Sequence, residues 1–218
     1  MQIIYLYGFA SGPLSEKAQF FKHKFDLIGT PFRIFDYIPS SKNFHLMRPS
    51  QLVINLHDFI NMEYSDQKII LCGSSFGGLI VAWYASTHPE YVEKLILIAP
   101  ALHFTTEYIA ETLGTTLSQW KNESDVLVDH YRFNGKIPIN YSFIQDLCDN
   151  PPPKFPLKNF PISTLVFHGK NDEVVPVRWS IDFALENQKV NLNVLAGDHQ
   201  LLDQKKTMWN SIQSFLTN

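Results

Sequence analysis

The sequence predicts an α/β fold: a doubly wound, mostly parallel six-stranded sheet with helices on both faces. Three observations predict it. Strand-like and helix-like segments alternate along most of the 218 residues. Lys68–Cys72 and Leu95–Ala99 read as continuous apolar runs without in/out alternation, the pattern of strands covered on both sides. Between them, Phe76–Thr87 is apolar nearly all round, as a central buried helix must be.

The elements follow in order. Ile3–Tyr7 is a short apolar strand leading into the glycine-rich loop Gly8-Phe9-Ala10-Ser11-Gly12-Pro13. A helical stretch then carries Leu14, Ala18, Phe21, Phe25 and Ile28 on one side and stops at Gly29. Phe32–Phe35 is a second strand. Pro49–Tyr64 carries Leu52, Val53, Leu56, Phe59 and Ile60 as an amphipathic stripe. Ile162–His168 is another buried strand, whereas Val190–Val194 alternates, as an edge strand does. A helix over about Gln204–Leu216 closes the array. The whole chain, 1–218, is expected to be a single domain. Within it, Ala101–Lys158 lacks the βα rhythm, is rich in aromatic residues and ends near Pro151-Pro152-Pro153. A structureless loop of that length is improbable, so this stretch is expected to be a partly helical, lid-like insertion over one end of the sheet.

Composition narrows the partners. A formal net charge of −3, with lysines and arginines scattered, leaves no basic stripe for phosphates and argues against nucleic acid. No apolar run approaches a membrane span, and Met1–Leu6 has no basic leader pattern, so a cytoplasmic protein is expected. The two cysteines, Cys72 and Cys148, are expected to stay reduced.

Gly73-Ser74-Ser75-Phe76-Gly77 carries the chemistry. It is a G-x-S-x-G directly after a buried strand and directly before a helix. In that context a serine sits on a tight turn with its hydroxyl projecting above the sheet, and the glycines avoid close backbone contacts. The following helix N-terminus favours developing negative charge. Gly73 to Gly78 also has the spacing of a phosphate-binding loop, but Leu79-Ile80 stands where Lys and Ser or Thr would be required.

A serine nucleophile needs a base, and the base needs an orienting acid, on loops after later strands. Of eight histidines, His23, His45 and His57 precede the serine, and His88 lies at the far end of the next helix. His103 and His130 fall in the insertion, and no acid in the expected order follows His168. His199 remains, in the loop after the last strand. The acid is then Asp172, in the loop after the preceding strand, ahead of Glu173, Asp182 and Asp198. The backbone N–H groups of Phe76 and Phe9 are the expected oxyanion donors. Gly8, Phe9 and Phe76, with the aromatic insertion, are the expected substrate-binding surface.

With these residues in place the sequence resembles the α/β-hydrolase superfamily over its whole length. More narrowly it resembles the small YqiA-like bacterial esterases. The narrower likeness rests on Ile4-Tyr5-Leu6-Tyr7-Gly8-Phe9-Ala10-Ser11 with Ser15-Glu16-Lys17-Ala18, on Gly73–Gly78, on His168–Pro176 and on Gly197-Asp198-His199. The resemblance implies a Ser75–Asp172–His199 triad, an uncharged small-molecule ester as substrate, and neither metal nor organic cofactor. One position departs from the pattern. Relatives usually have His-Gly at the end of the first strand, where this chain has Tyr7-Gly8, which bears on the shape of the oxyanion loop. Thioester hydrolysis, perhydrolysis on the same triad, and ligand binding on a non-catalytic scaffold are the rival readings. Within the insertion, Asp and Glu outnumber Lys and Arg from Ala101 to Asn150, which disfavours polyanionic acyl-CoA substrates.

Overall fold

The computed structural model describes residues 1–217. In chain order the elements are β1 (Ile3–Leu6), α1 (Glu16–Leu27), β2 (Phe32–Ile34), α2 (Ser41–His45), α3 (Pro49–Tyr64), β3 (Ile69–Ser74), α4 (Phe76–Thr87) and β4 (Val92–Ile98). There follow α5 (Thr106–Thr112), α6 (Leu117–Glu123), β5 (Asp125–His130), β6 (Gly135–Asn140), α7 (Ser142–Asp149), β7 (Ser163–Gly169), α8 (Val177–Leu185), β8 (Val190–Leu195) and α9 (Lys205–Thr217).

The six-stranded sheet has the order β2-β1-β3-β4-β7-β8, and all its pairings are parallel. Every residue of β1 and β3 is buried, which accounts for their unbroken apolar sequences. Helix α1 packs with α9, and α3 with α4, so helices shield the sheet on both sides. Ten consecutive residues of α4, Phe76 to Ala85, are buried, as its lack of a polar face requires.

The topology sets up the site. From β1 the chain moves outward to β2 and then returns to β3 on the other side of β1. The direction of winding reverses between β1 and β3, where ligands bind in open sheets of this kind. Leu6 is in register with Gly73, so the loops leaving β1 and β3 end level with each other. Gly169 is likewise in register with Leu195, which brings the loops after β7 and β8 side by side.

Two expectations need correction. The first helix begins at Glu16 and ends at Leu27; Leu14 and Ile28 lie outside it and are exposed. The segment between β4 and β7 is partly helical, as expected, but it also carries strands that were not. Besides α5, α6 and α7 it holds the antiparallel hairpin β5–β6, which packs on α2. The hairpin is masked in the sequence by its polar residues and by Pro138 inside β6. A two-stranded ribbon has open edges on which proline is tolerated. Cys72 and Cys148 are unpaired. No helix among the described residues is long and apolar enough to cross a membrane.

Candidate active site

Ser75 occupies the turn between β3 and α4 with φ 54° and ψ −119°, a conformation that costs a non-glycine residue of order 1–3 kcal/mol. The surroundings hold it there. Its N–H donates to the Ile98 carbonyl at 2.9 Å, and its own carbonyl accepts from Leu79 and Ala101 at 3.1 and 3.2 Å. The turn closes only because two flanking positions lack side chains. A Cβ on Gly77 would overlap the Leu6 and Tyr7 carbonyl oxygens, and one on Gly73 would overlap Gly77 and Val81.

His199 arrives from the loop after β8. Its Nε2 lies 3.0 Å from Ser75 Oγ, and its Nδ1 lies 2.8 Å from Asp172 Oδ2. An ionised carboxylate only accepts, so Nδ1 carries the proton and Nε2 is left to accept from the serine hydroxyl. The loop is fixed by Asp198, whose Oδ1 accepts from the Gln200 and Leu201 N–H groups at 2.9 Å each. It is stitched to the Asp172 loop by Asn171 N–H donating to the Gly197 carbonyl at 3.0 Å.

The Asp172 side chain is fully buried. Burial alone raises its affinity for a proton. Hydrogen bonds from His168 and His199, the charge of His199 and the Val175 N–H overcome that penalty and hold the carboxyl well below the usual carboxylate range. Oδ1 accepts from Val174 and Val175 N–H at 2.9 and 2.7 Å. Oδ2 also lies 3.1 Å from His168 Nε2. His168 is fully buried, and its Nδ1 meets the Ser180 hydroxyl at 2.7 Å. A serine donating to Nδ1 leaves the proton on Nε2, directed at Asp172 and at the Val175 carbonyl 2.9 Å away. Sequence reasoning set His168 aside for want of a following acid. The signal it missed is a histidine at the end of a buried strand, four residues before the chosen aspartate.

The competing acids go elsewhere. Asp182 lies on α8 and pairs with Arg178 Nε at 2.7 Å, Asp198 stays within its own loop, and Glu173 is exposed. Among the described residues no group of three or more His, Cys, Asp or Glu gathers as a metal would need.

The loop after β1 lies against the serine: a Cβ on Gly8 would be 3.3 Å from Ser75 Cβ. Tyr7 and Tyr37 hold this loop. Their rings stack with centroids 4.4 Å apart, and the Tyr37 hydroxyl meets the Tyr7 and Gly8 carbonyls at 2.8 and 3.2 Å. Tyr7 donates to Asp36 Oδ1 at 2.6 Å and accepts from Ile38 N–H at 3.1 Å. Arg132, from the β5–β6 turn, closes the network on Asp36 Oδ1 at 2.7 Å and on the Ile38 carbonyl at 2.6 Å. Neither the Phe9 nor the Phe76 N–H donates to an acceptor among the described residues.

A cavity of about 530 Å³ opens beside Ser75 and His199. Gly8 and Phe9 line it, but Phe76 does not. The Phe76 side chain is buried against Phe9, Phe104 and Phe143, with centroids 5.5 to 5.9 Å away. The insertion contributes only Tyr131 and Arg132 to the wall, the rest coming from the β1 loop, the start of α1 and the loops of the triad. The expected aromatic pocket is therefore core, and the open space lies on the α1 side.

A family model described as "Uncharacterised protein family (UPF0227)" matches residues 2–217. The chain belongs to this family. Within the α/β-hydrolase superfamily it is 31% identical to the mouse mitochondrial palmitoyl-protein thioesterase ABHD10 over 144 residues, 62% of this chain and 46% of that protein. The chain spans about half the length, or less, of the curated relatives it matches. Among solved structures, mouse alpha/beta hydrolase domain-containing protein 10 superposes with a TM-score of 0.76 at 22% identity, covering 99% of this chain and 89% of that one. Est1E from Butyrivibrio proteoclasticus, with ferulic acid bound, gives 0.82 at 18% identity, covering 100% and 88%. These likenesses show the α/β-hydrolase fold for the UPF0227 chain.

Proposed function

We propose that the protein is a serine hydrolase that cleaves carboxylic esters through an acyl-enzyme formed on Ser75. The observation that carries this reading is the continuous chain Ser75 Oγ, His199 Nε2, His199 Nδ1, Asp172 Oδ2, with contacts of 3.0 and 2.8 Å, ending on a serine held at positive φ.

In this mechanism Ser75 Oγ attacks the ester carbonyl carbon as its proton passes to His199 Nε2. The carbonyl oxygen takes up negative charge against the Phe9 and Phe76 N–H groups, which donate to no acceptor among the described residues. His199 returns its proton to the departing alkoxide, leaving the serine acylated. Water, deprotonated by His199, then attacks the acyl carbon and Ser75 leaves with the proton. Asp172, kept ionised by its four donors, fixes the imidazole and balances its positive charge.

Thioester hydrolysis is the second reading, favoured by the match to a palmitoyl-protein thioesterase. The same steps apply, with a thiolate leaving.

Reaction with a fluorophosphonate followed by mass spectrometry is expected to place one adduct on Ser75, lost in His199→Ala. On a panel of p-nitrophenyl esters and acyl thioesters, Ser75→Ala is expected to lower kcat by several orders of magnitude. Near-unchanged turnover in that variant would refute the assignment.

A further inference from the structure

Lys17, in the motif Ser15-Glu16-Lys17-Ala18, has no part in the chemistry above. It lies in the first turn of α1, is only 9% exposed, and lines the cavity into which Ser75 and His199 open. A buried ammonium ordinarily has a partner, because desolvating an unpaired charge is costly. Among the described residues Lys17 makes no ion pair and no side-chain hydrogen bond. A second polar group lies on the same wall: Tyr5 is fully buried, and among the described residues its hydroxyl has the Ser74 side chain beside it and no hydrogen bond of good geometry.

The other charges around the cavity are already matched. Arg132 is held by Asp36, and Glu16 pairs with Lys205. Asp172 and Asp198 act on Lys17 through space, but neither pairs with it, and both are occupied by donors of their own. Ser15, Glu16 and Lys17 line the same space and Ser15 places no side-chain cap on α1, so the uncapped positive end of that helix lies beside it. Burial pushes the Lys17 ammonium down to about 8 against the pull of the two carboxylates, so it is still charged at neutral pH.

We propose that this wall is an anion subsite, in which a second, ionised carboxylate on the ester substrate pairs with Lys17 and accepts the Tyr5 hydroxyl. The inference rests on the Ser75 hydrolase reading and specifies its substrate: a half-ester of a dicarboxylic acid, or an ester whose alcohol bears a carboxylate. One ammonium and one phenol match the single charge and two oxygens of a carboxylate; a doubly charged phosphate would keep surplus charge in a buried place.

The test uses binding, which needs no turnover. Ser75→Ala protein is titrated calorimetrically with monomethyl glutarate, carrying the carboxylate on the acyl side, and 4-acetoxybutanoate, carrying it on the leaving-group side. Methyl valerate and butyl acetate are the neutral counterparts. One acidic ester is expected to bind at least tenfold more tightly than its counterpart, and which one it is tells which half of the substrate enters the cavity. Adding Lys17→Met to Ser75→Ala is expected to erase the preference, and adding Tyr5→Phe to reduce it severalfold. Equal binding of acidic and neutral esters, or a preference that survives Lys17→Met, overturns the subsite. A readout that needs no Lys17 variant is wild-type kcat/KM on the matched pair for the side that calorimetry selects, p-nitrophenyl hemiglutarate against p-nitrophenyl valerate for the acyl side or 4-acetoxybutanoate against butyl acetate for the leaving-group side, expected to favour the acid at least tenfold. Comparable turnover of both removes the subsite and leaves the serine reading standing. Selective binding by a protein whose Ser75 neither turns over ester nor takes fluorophosphonate keeps the subsite and removes the serine reading.

Discussion

Tyr37 shows how much a single hydroxyl can arrange. It meets the Tyr7 and Gly8 carbonyls, and in a trans peptide the N–H points opposite to the C=O. Turning the Gly8 carbonyl toward Tyr37 therefore turns the Phe9 N–H away from it, on the residue next to the glycine that touches Ser75. In the proposed mechanism this N–H receives charge, so Tyr37→Phe is expected to lower kcat about tenfold while fluorophosphonate still labels Ser75, a separation that steady-state kinetics and labelling rates together measure. Ser75, Asp172 and His199 were legible in the sequence because chain order and loop position leave few candidates, and the structure brings all three together. Tyr37, Asp36, Arg132 and His168 were not. Their roles depend on meetings such as Arg132 with Asp36, 96 residues apart, which no local pattern announces.

At the scale of elements, α3 and α4 have the bounds that periodicity and apolarity gave, because each is long and its burial pattern repeats over several turns. The first helix was overextended at both ends, since a stray Leu14 and Ile28 fit the stripe without being buried. The β5–β6 hairpin was invisible because its strands carry too few inward apolar residues to alternate clearly; Leu127 faces solvent. The crossing of β1 and α4 at Gly77 is a tight junction. Gly77→Ala drives a methyl group into backbone that cannot move without breaking β1, and is expected to lower the unfolding free energy by more than about 3 kcal/mol in urea titrations. Gly135→Ala, where a Cβ meets nothing within 4 Å, is expected to stay within about 0.5 kcal/mol.

For the whole molecule, the order of strands about β1 and the level ends of β1 and β3 decide where chemistry can sit, and the unbroken apolar runs made that sheet readable in advance. Its response to acid was not readable. His130 is 2% exposed between Phe44 and Phe133, with neither ring nitrogen partnered. Burial, then the charge of Arg132, lowers its pKa from 6.5 to about 4. The unfolded chain therefore binds this proton at higher pH than the folded one, and stability falls as pH drops from about 6.5 toward 4. His88 and His103 are lowered by burial as well and act in the same direction below 6.5, while the Asp172 carboxylate loses its contribution only at lower pH. The unfolding free energy measured from pH 7 to 4 is expected to decline in the wild type, and less steeply in His130→Leu.

The strand order also has a consequence in time. The serine's bent backbone is held by Ile98 and Ala101, which follow it in the chain, while its base and acid come from loops after β7 and β8. During vectorial synthesis on the ribosome the hydroxyl emerges well before the groups that would activate it, and N-terminal segments begin to fold first. On the proposed mechanism, a nascent chain stopped short of residue 199 carries an inert serine, and reactivity toward esters is acquired late, after most of the sheet has been made.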